Sequence, residues 1–343
     1  MKVQLKLIIT IITGMLFLQA TQIFACTGIF INRSQKISAR NYDFNTASGT
    51  LAISPIGTEH VSNTNTHNQK PLRWKTKYGN VIFYAVLTKK GHNTPRGKNT
   101  ILCGIDGTNQ YGFNVGIFYL GETKYLSPNN LPVLDAGMWT QYFLDNFRTV
   151  KKAVQFLKTQ KKFRVISCNN KDINMDLHYF IHDKTGASAI VEYLNGRLKI
   201  IENPKVNVIA NTPYDKAMEK LKDYISFGGT KTIPGGFESI QRFVRGAYYL
   251  HNIPKKTGKK YSLVDAAIEV IQSCTQPPVQ EYPLNDGIFF PSMTCWTIVS
   301  NLTNNCIYYR TLDGPNFKEI NLNKINFKEG GKERYHLLKG KSI

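Results

Sequence analysis

The chain of 343 residues lacks the marks of most familiar catalytic and binding classes. It has no Gly-x-Ser-x-Gly elbow, no phosphate-binding glycine loop and no metalloprotease helix signature, so serine hydrolase, nucleotide-hydrolase and zincin chemistry have no foothold. Zinc-finger spacing, an aromatic-basic ribonucleoprotein motif and a helix-turn-helix signal are also missing, which removes specific nucleic-acid reading. There are no heptads, no repeat of fixed period and no long Pro/Ser linker, so a single domain is expected. Acidic residues are scarce: 23 Asp and Glu stand against 44 Lys and Arg, a formal charge of +21. That surplus raises the local concentration of anions, whether small anionic substrates, nucleic acid or lipid headgroups, although each short basic cluster also reads as solvated surface. The clusters fall at Lys255-Lys256, Lys259-Lys260 and a tail from Lys328 to Lys341. Cysteine is sparse and irregular. Setting Cys26 aside leaves Cys103, Cys168, Cys274, Cys295 and Cys306, an odd set that makes a poor disulfide framework.

What the chain does have begins at its start. Lys2 and Lys6 precede an apolar run from Leu7 to Leu18, and Ile23-Phe24-Ala25 offers a small residue at a cut, which together read as a cleaved secretory leader over residues 1–25. The run falls short of the roughly 20 residues that span a bilayer of about 30 Å, so no stable membrane anchor is expected. Cleavage after Ala25 would leave Cys26 as the first residue, with thiol and free α-amine on one amino acid. Three readings of Cys26 stand at this point: nucleophile, lipid anchor or incidental buried thiol. Ile23 and the bulky Phe24 suit ordinary cleavage better than a lipidation signal.

Along the rest of the chain, Thr27 to Asn32 and Ile37 to Phe44 alternate as strands around a turn at Arg33-Ser34-Gln35-Lys36. A hairpin centred between Ser34 and Gln35 sets Asp43 directly across from Cys26, with Arg40 nearby. Asn80 to Thr88, Thr100 to Ile105 and Phe113 to Leu120 are further strands. A helical stretch from Ala136 to Lys158 is interrupted near Thr149. Asp176 to His182 and Ala187 to Tyr193 form a hairpin, and Asn195-Gly196 turns into a third strand, Arg197 to Ile201. Helices are expected over Tyr214–Tyr224, Phe237–Leu250 and Ser262–Ser273, then strands over Thr294 to Asn301, Cys306 to Thr311 and Lys318 to Leu322. A turn near Thr303 sets Cys306 opposite Ser300 and not opposite Cys295. Hairpin connections without a βαβ rhythm predict an α+β fold with two antiparallel sheets covered by helices. His178 and His182 share one face of their strand, which accounts for their spacing without a metal.

Cys26-Thr27-Gly28-Ile29-Phe30, followed by Arg40-Asn41-Tyr42-Asp43, resembles the start of the choloylglycine hydrolase family. Three later segments match it in order: Ala210-Asn211-Thr212-Pro213-Tyr214-Asp215, Gly235-Gly236-Phe237 through Arg242-Phe243-Val244-Arg245, and Trp296-Thr297-Ile298-Val299-Ser300. The resemblance runs from Cys26 to Leu322. It implies an αββα sandwich of the N-terminal-nucleophile type and one cysteine amidase domain over residues 26–343, cleaving a linear amide C–N bond without metal or organic cofactor. It also implies site residues Cys26, Arg40, Asp43, Asn211 and Arg242.

Physical chemistry gives each of these a task. An α-amine with an ordinary pKa near 8 can take the thiol proton at neutral pH. Arg40 is expected to favour thiolate and Arg242 to complete the charged site. Asp43 is expected to accept from the α-amine, and Asn211 to donate to the tetrahedral oxyanion. The position that holds a second oxyanion asparagine in many bile salt hydrolases falls on Tyr119, whose backbone N–H is the remaining donor there. That substitution leans toward penicillin V, fatty-acyl amides or N-acyl homoserine lactones beside conjugated bile acids. The expected location is secreted or periplasmic, and a homo-oligomer is left open. The rival reading is a lipid-anchored or basic secreted binding protein without catalysis.

Overall fold

The computed structural model describes residues 25–44, 49–66, 68–88, 100–170, 173–255, 261–278, 292–328, 330–331 and 333–338. Residues 1–24 of the predicted leader, the Lys259-Lys260 cluster and the last residues of the basic tail lie outside this set. In chain order, the strands of the two large sheets are β1 (Ala25–Asn32), β2 (Lys36–Phe44), β3 (Gly49–Ser54), β4 (Asn80–Thr88), β5 (Thr100–Asn109), β6 (Phe113–Tyr119) and β7 (Leu177–Asp183). They continue as β8 (Ser188–Leu194), β9 (Arg197–Glu202), β10 (Val208–Ile209), β11 (Met293–Asn301), β12 (Cys306–Thr311), β13 (Gly314–Asn321) and β14 (Arg334–Leu337). A six-stranded sheet runs β10-β1-β2-β11-β12-β13 and an eight-stranded sheet runs β9-β8-β7-β6-β5-β4-β3-β14. All the pairings within them are antiparallel.

Helices α1 (Trp139–Asn146) and α2 (Val150–Thr159) cover the larger sheet; α4 (Ser239–Asn252) and α5 (Leu263–Gln272) cover the smaller, with α3 (Tyr214–Leu221) beside α4. Thr149 explains the predicted break between α1 and α2: its hydroxyl accepts from the Lys152 backbone N–H as an N-cap. Alternation on β1 and β2 sorts side chains between two buried layers. Arg40 reaches across to the carbonyls of Ile105 and Ile117 in the facing sheet, whereas Asn41 donates to Ile271 O of α5 at 2.9 Å. Successive residues thus face the sheet–sheet layer and the helix layer in turn. The result is the αββα sandwich expected from the sequence.

Two hairpins depart from the predicted register by one residue. Asn32 pairs with Lys36, closing a three-residue loop over Arg33-Ser34-Gln35, so Cys26 lies opposite Tyr42 and Asp43 opposite Ala25. The cause is an odd loop where an even one was assumed, held by Arg33 donating to the carbonyls of Ile253 and Pro254. One residue of slip moves a side chain to the other face. Asp43 therefore belongs to the helix layer while the Cys26 thiol faces the other sheet. In the closing hairpin Cys306 lies opposite Asn301, one place from the predicted Ser300 and well away from Cys295. Cys26, Cys103, Cys274, Cys295 and Cys306 are free thiols. The basic tail carries more than charge: Arg334–Leu337 pairs with Gly49–Ser54 and extends the larger sheet.

Candidate active site

Cys26 sits on β1 and is 3% exposed. Arg40 comes from the same face of β2, opposite Gly28, and its Nη2 donates to Cys26 Sγ at 3.1 Å. The guanidinium is also held by backbone carbonyls of Ile105 and Ile117 and lies over the Phe118 ring, 4.7 Å from its centre. Phe118 explains the glycine of Cys-Thr-Gly: a Cβ on Gly28 would meet Phe118 Cζ at 2.5 Å. Only a bare backbone lets the ring pack beneath the arginine.

Arg242, on α4, serves the opposite side of the same residue. Its Nη1 donates to Cys26 O at 2.5 Å and to Thr27 Oγ1 at 2.6 Å, and its Nη2 to Asn211 Oδ1 at 2.8 Å. The capping box at Glu238 and Gln241 starts the helix one turn before Arg242, and Phe237 O accepts from Arg242 Nε. Asn211 Oδ1 also accepts from Cys26 N at 2.7 Å, while its Nδ2 donates to Tyr119 O at 2.8 Å. Tyr119 thus enters the site through its carbonyl, and its hydroxyl lies toward Gly121.

Asp43 approaches from the helix layer. Its Oδ1 accepts from Thr294 Oγ1 at 2.6 Å, and its Oδ2 lies 4.0 Å from Arg242 Nη1 without a hydrogen bond among the described residues. Thr294 itself accepts from Gln276 N at 2.8 Å. Burial raises the Asp43 carboxyl to about 6, against the pull of Arg242, the Thr294 hydroxyl and Arg40.

The thiol behaves differently from the sequence expectation. Burial pushes the Cys26 thiol above its ordinary value; Arg40 is the largest opposing influence and does not overcome it. The Asp43 charge adds to the rise, while its backbone N–H and Arg242 oppose it. Arg40 narrows the cost of a thiolate without establishing one.

The structure brings together Cys26, Arg40, Asp43, Asn211, Arg242 and Tyr119. Sequence reasoning missed Thr294, whose partner lies across a β-bulged pairing of β2 and β11, and Phe118, whose only signal was Gly28. His178 and His182 are both buried; His178 Nε2 meets Ala210 O at 2.8 Å and His182 Nδ1 meets Asn114 Oδ1 at 3.1 Å.

Residues 26–334 match the family model described as linear amide C-N hydrolases, choloylglycine hydrolase family. The chain belongs to that family. It is a linear amide C–N hydrolase by descent, and the binding-protein reading falls away. Among characterised relatives, the penicillin V acylase of Pectobacterium atrosepticum is 27% identical over 317 residues, 88% of this chain and 80% of its own length. The bile salt hydrolase/transferase of Clostridium perfringens is 23% identical over 256 residues, covering 64% of this chain and 73% of its own. In solved structures, penicillin V acylase from Agrobacterium tumefaciens superposes with a TM-score of 0.73 at 25% identity over 90% of both chains. A variant of the conjugated bile acid hydrolase from Clostridium perfringens gives 0.75 at 19% identity over 93% of this chain and 99% of that one, which speaks to the shared fold.

Proposed function

We propose that this family member works as an N-terminal-nucleophile cysteine amidase, with Cys26 as the first residue of the mature enzyme. The observation that carries the reading is the convergence on one residue: Arg40 on the Cys26 sulfur, Asn211 on its nitrogen and Arg242 on its carbonyl. Cleavage after Ala25 would vacate the place opposite Asp43 in the ladder and leave an α-amine beside the unpartnered Oδ2. The family match beginning at residue 26 supports the same boundary. Such processing fits a secreted or periplasmic protein.

In the reaction, Cys26 Sγ attacks the amide carbonyl carbon as the α-amine takes the thiol proton. Collapse of the tetrahedral adduct breaks the C–N bond, and the same amine returns the proton to the leaving nitrogen. Water, deprotonated by the α-amine, then releases the acid from the thioester and regenerates the thiol. One N–H of Asn211 Nδ2 is committed to Tyr119 O, and its second N–H serves the oxyanion. Oδ1 is polarised by Arg242 and fixes the direction of the Cys26 nitrogen.

The substrate class is an acylated small-molecule amide of the penicillin V or conjugated bile acid type. The identity to a penicillin V acylase and tyrosine at position 119 favour penicillin V and fatty-acyl amides within that class. Intact mass of the secreted protein together with hydrolysis of penicillin V, glycocholate and an N-acyl homoserine lactone tests it. Turnover of one of these by a chain starting at Cys26 is expected; activity from a chain retaining residues 1–25 would refute the mechanism.

A further inference from the structure

Asn211 occupies a four-residue connection between β10 and α3, yet it must hold both the Cys26 nitrogen and an oxyanion donor in place. The segment is pinned from inside the molecule. His178 Nε2 donates to Ala210 O at 2.8 Å, immediately before Asn211. Glu192 Oε1 accepts the Tyr214 N–H at 2.8 Å, at the first residue of α3. Pro213, at the N-cap, supplies no side-chain cap there, so the Glu192 carboxylate does that work at the positive end of the helix. The two pinning groups face each other, His178 Nδ1 standing 3.5 Å from Glu192 Oε1, and both side chains are 0% exposed. Neither touches Cys26, and neither is accounted for by the chemistry above. A buried carboxylate and imidazole are costly to retain in a core.

We propose that His178 and Glu192 are positioning residues for Asn211, clamping the 210–214 segment at its two ends so that the asparagine amide keeps its orientation toward Cys26. Ser239 completes the clamp by accepting the Asn211 backbone N–H through Oγ at 2.9 Å. Together, the carbonyl before Asn211, its own N–H and the helix start after it are each held by a group on a different element. The inference rests on the reading of Cys26 and Asn211 as catalytic groups.

The test is a double-mutant cycle on the processed enzyme with penicillin V or whichever amide of the panel it hydrolyses. His178→Ala is expected to lower kcat by about 10- to 100-fold with KM within about twofold, the scale on which a remote misplacement acts. His178→Gln, which keeps an N–H for Ala210 O, is expected to restore most of that loss. In an Asn211→Ala background, His178→Ala is expected to cost less than about twofold more, because its route of action is already gone. Equal losses in both backgrounds, or unchanged kcat in folded His178→Ala, overturn the proposal. Should His178→Ala fail to fold, Glu192→Leu carries the same cycle; if neither folds, the pair is architectural and the proposal fails. Cys26→Ser assayed alongside separates the two levels. Turnover surviving there overturns the reading of the site, whereas a silent Cys26→Ser with additive losses overturns only the positioning role.

Discussion

Two buried aspartates differ in how completely their oxygens are hydrogen-bonded, Asp145 on both and Asp43 on one. Asp145 lies in the last turn of α1 and is saturated: Oδ1 accepts from Asn80 Nδ2 at 2.7 Å and Gln141 Nε2 at 2.8 Å, and Oδ2 accepts from Trp74 Nε1 at 2.6 Å. Its backbone carbonyl takes the N–H groups of Lys77 and Tyr78 as well. Among the described residues, Asp43 has a single hydroxyl donor on one oxygen and no hydrogen bond on the other. Burial raises both, Asp145 to about 7 and Asp43 to about 6. A full ring of donors ties a loop, a strand and a helix together. An incomplete ring leaves a carboxylate with capacity for one more donor, which an α-amine at Cys26 would fill.

The comparison can be broken most forcefully at the site end. Cys26→Ser keeps the shape and the amine but replaces the thiol with a hydroxyl far harder to deprotonate, so turnover is expected to fall by several orders of magnitude in processed, folded protein. Near-wild-type turnover, with intact mass confirming processing, would end cysteine catalysis here. Asp43→Asn is the companion change. It keeps an acceptor for Thr294 yet loses the charge that holds the amine, and a fall in kcat of about 10²–10⁴ is expected with little movement of the denaturant midpoint.

Asp145→Ala inverts that pattern. Three donors lose their partner in the core, and at about 1–3 kcal/mol for each buried unsatisfied group the loss of stability is expected to reach several kcal/mol. Chemical denaturation measures it, while kcat of the remaining folded protein is expected to stay within about threefold of wild type. A large stability loss from Asp43→Asn, or a large kcat loss from Asp145→Ala, would erase the distinction between the two sites.

A finer test uses protons. Asp43 accepts from an amine only when ionised, so kcat/KM is expected to fall as pH drops through about 6. The Thr294 hydroxyl bonds to the carboxylate and lowers that value, hence Thr294→Val is expected to move the acid limb to higher pH. The stability effect has the opposite sense. The folded carboxyl keeps its proton where the unfolded one, at an ordinary 3.8, has lost it. Between 3.8 and about 6 the native state binds more protons, so this group's contribution declines as pH rises through that window. Asp43→Asn is expected to flatten that part of the stability profile. The smallest effect belongs to the thiols: with Cys103, Cys274, Cys295 and Cys306 free, adding a reductant is expected to leave the thermal midpoint where it was.

How much of this was readable in advance depended on the range of the interaction. Local pattern carried the strands, the Thr149 break between α1 and α2, and the segment holding Cys26 and Arg40. Register did not follow, because a loop of three residues over Arg33-Ser34-Gln35 and one of four over 302–305 look alike in composition but differ in parity. That single residue decides whether Asp43 stands beside the thiol or behind it. Thr294 left no trace, since a threonine in a strand reads as strand propensity until Asp43 is placed opposite it. The thiol's direction was also missed. Proximity to arginine is visible in a sequence, but the depth of burial that outweighs it is not.

The separations within the site have a consequence for when the enzyme becomes reactive. Cys26 meets Asn211 across 185 positions and Arg242 across 216, and Asp43 meets Thr294 across 251. Contacts so distant along the chain are slow to form and come only after long loops have closed. A partly folded chain therefore carries Cys26 without Asn211 on its nitrogen, without Arg242 on its carbonyl and without Thr294 on Asp43. Turnover regained during refolding of the processed chain is thus expected to appear only once the last strands have docked against the first.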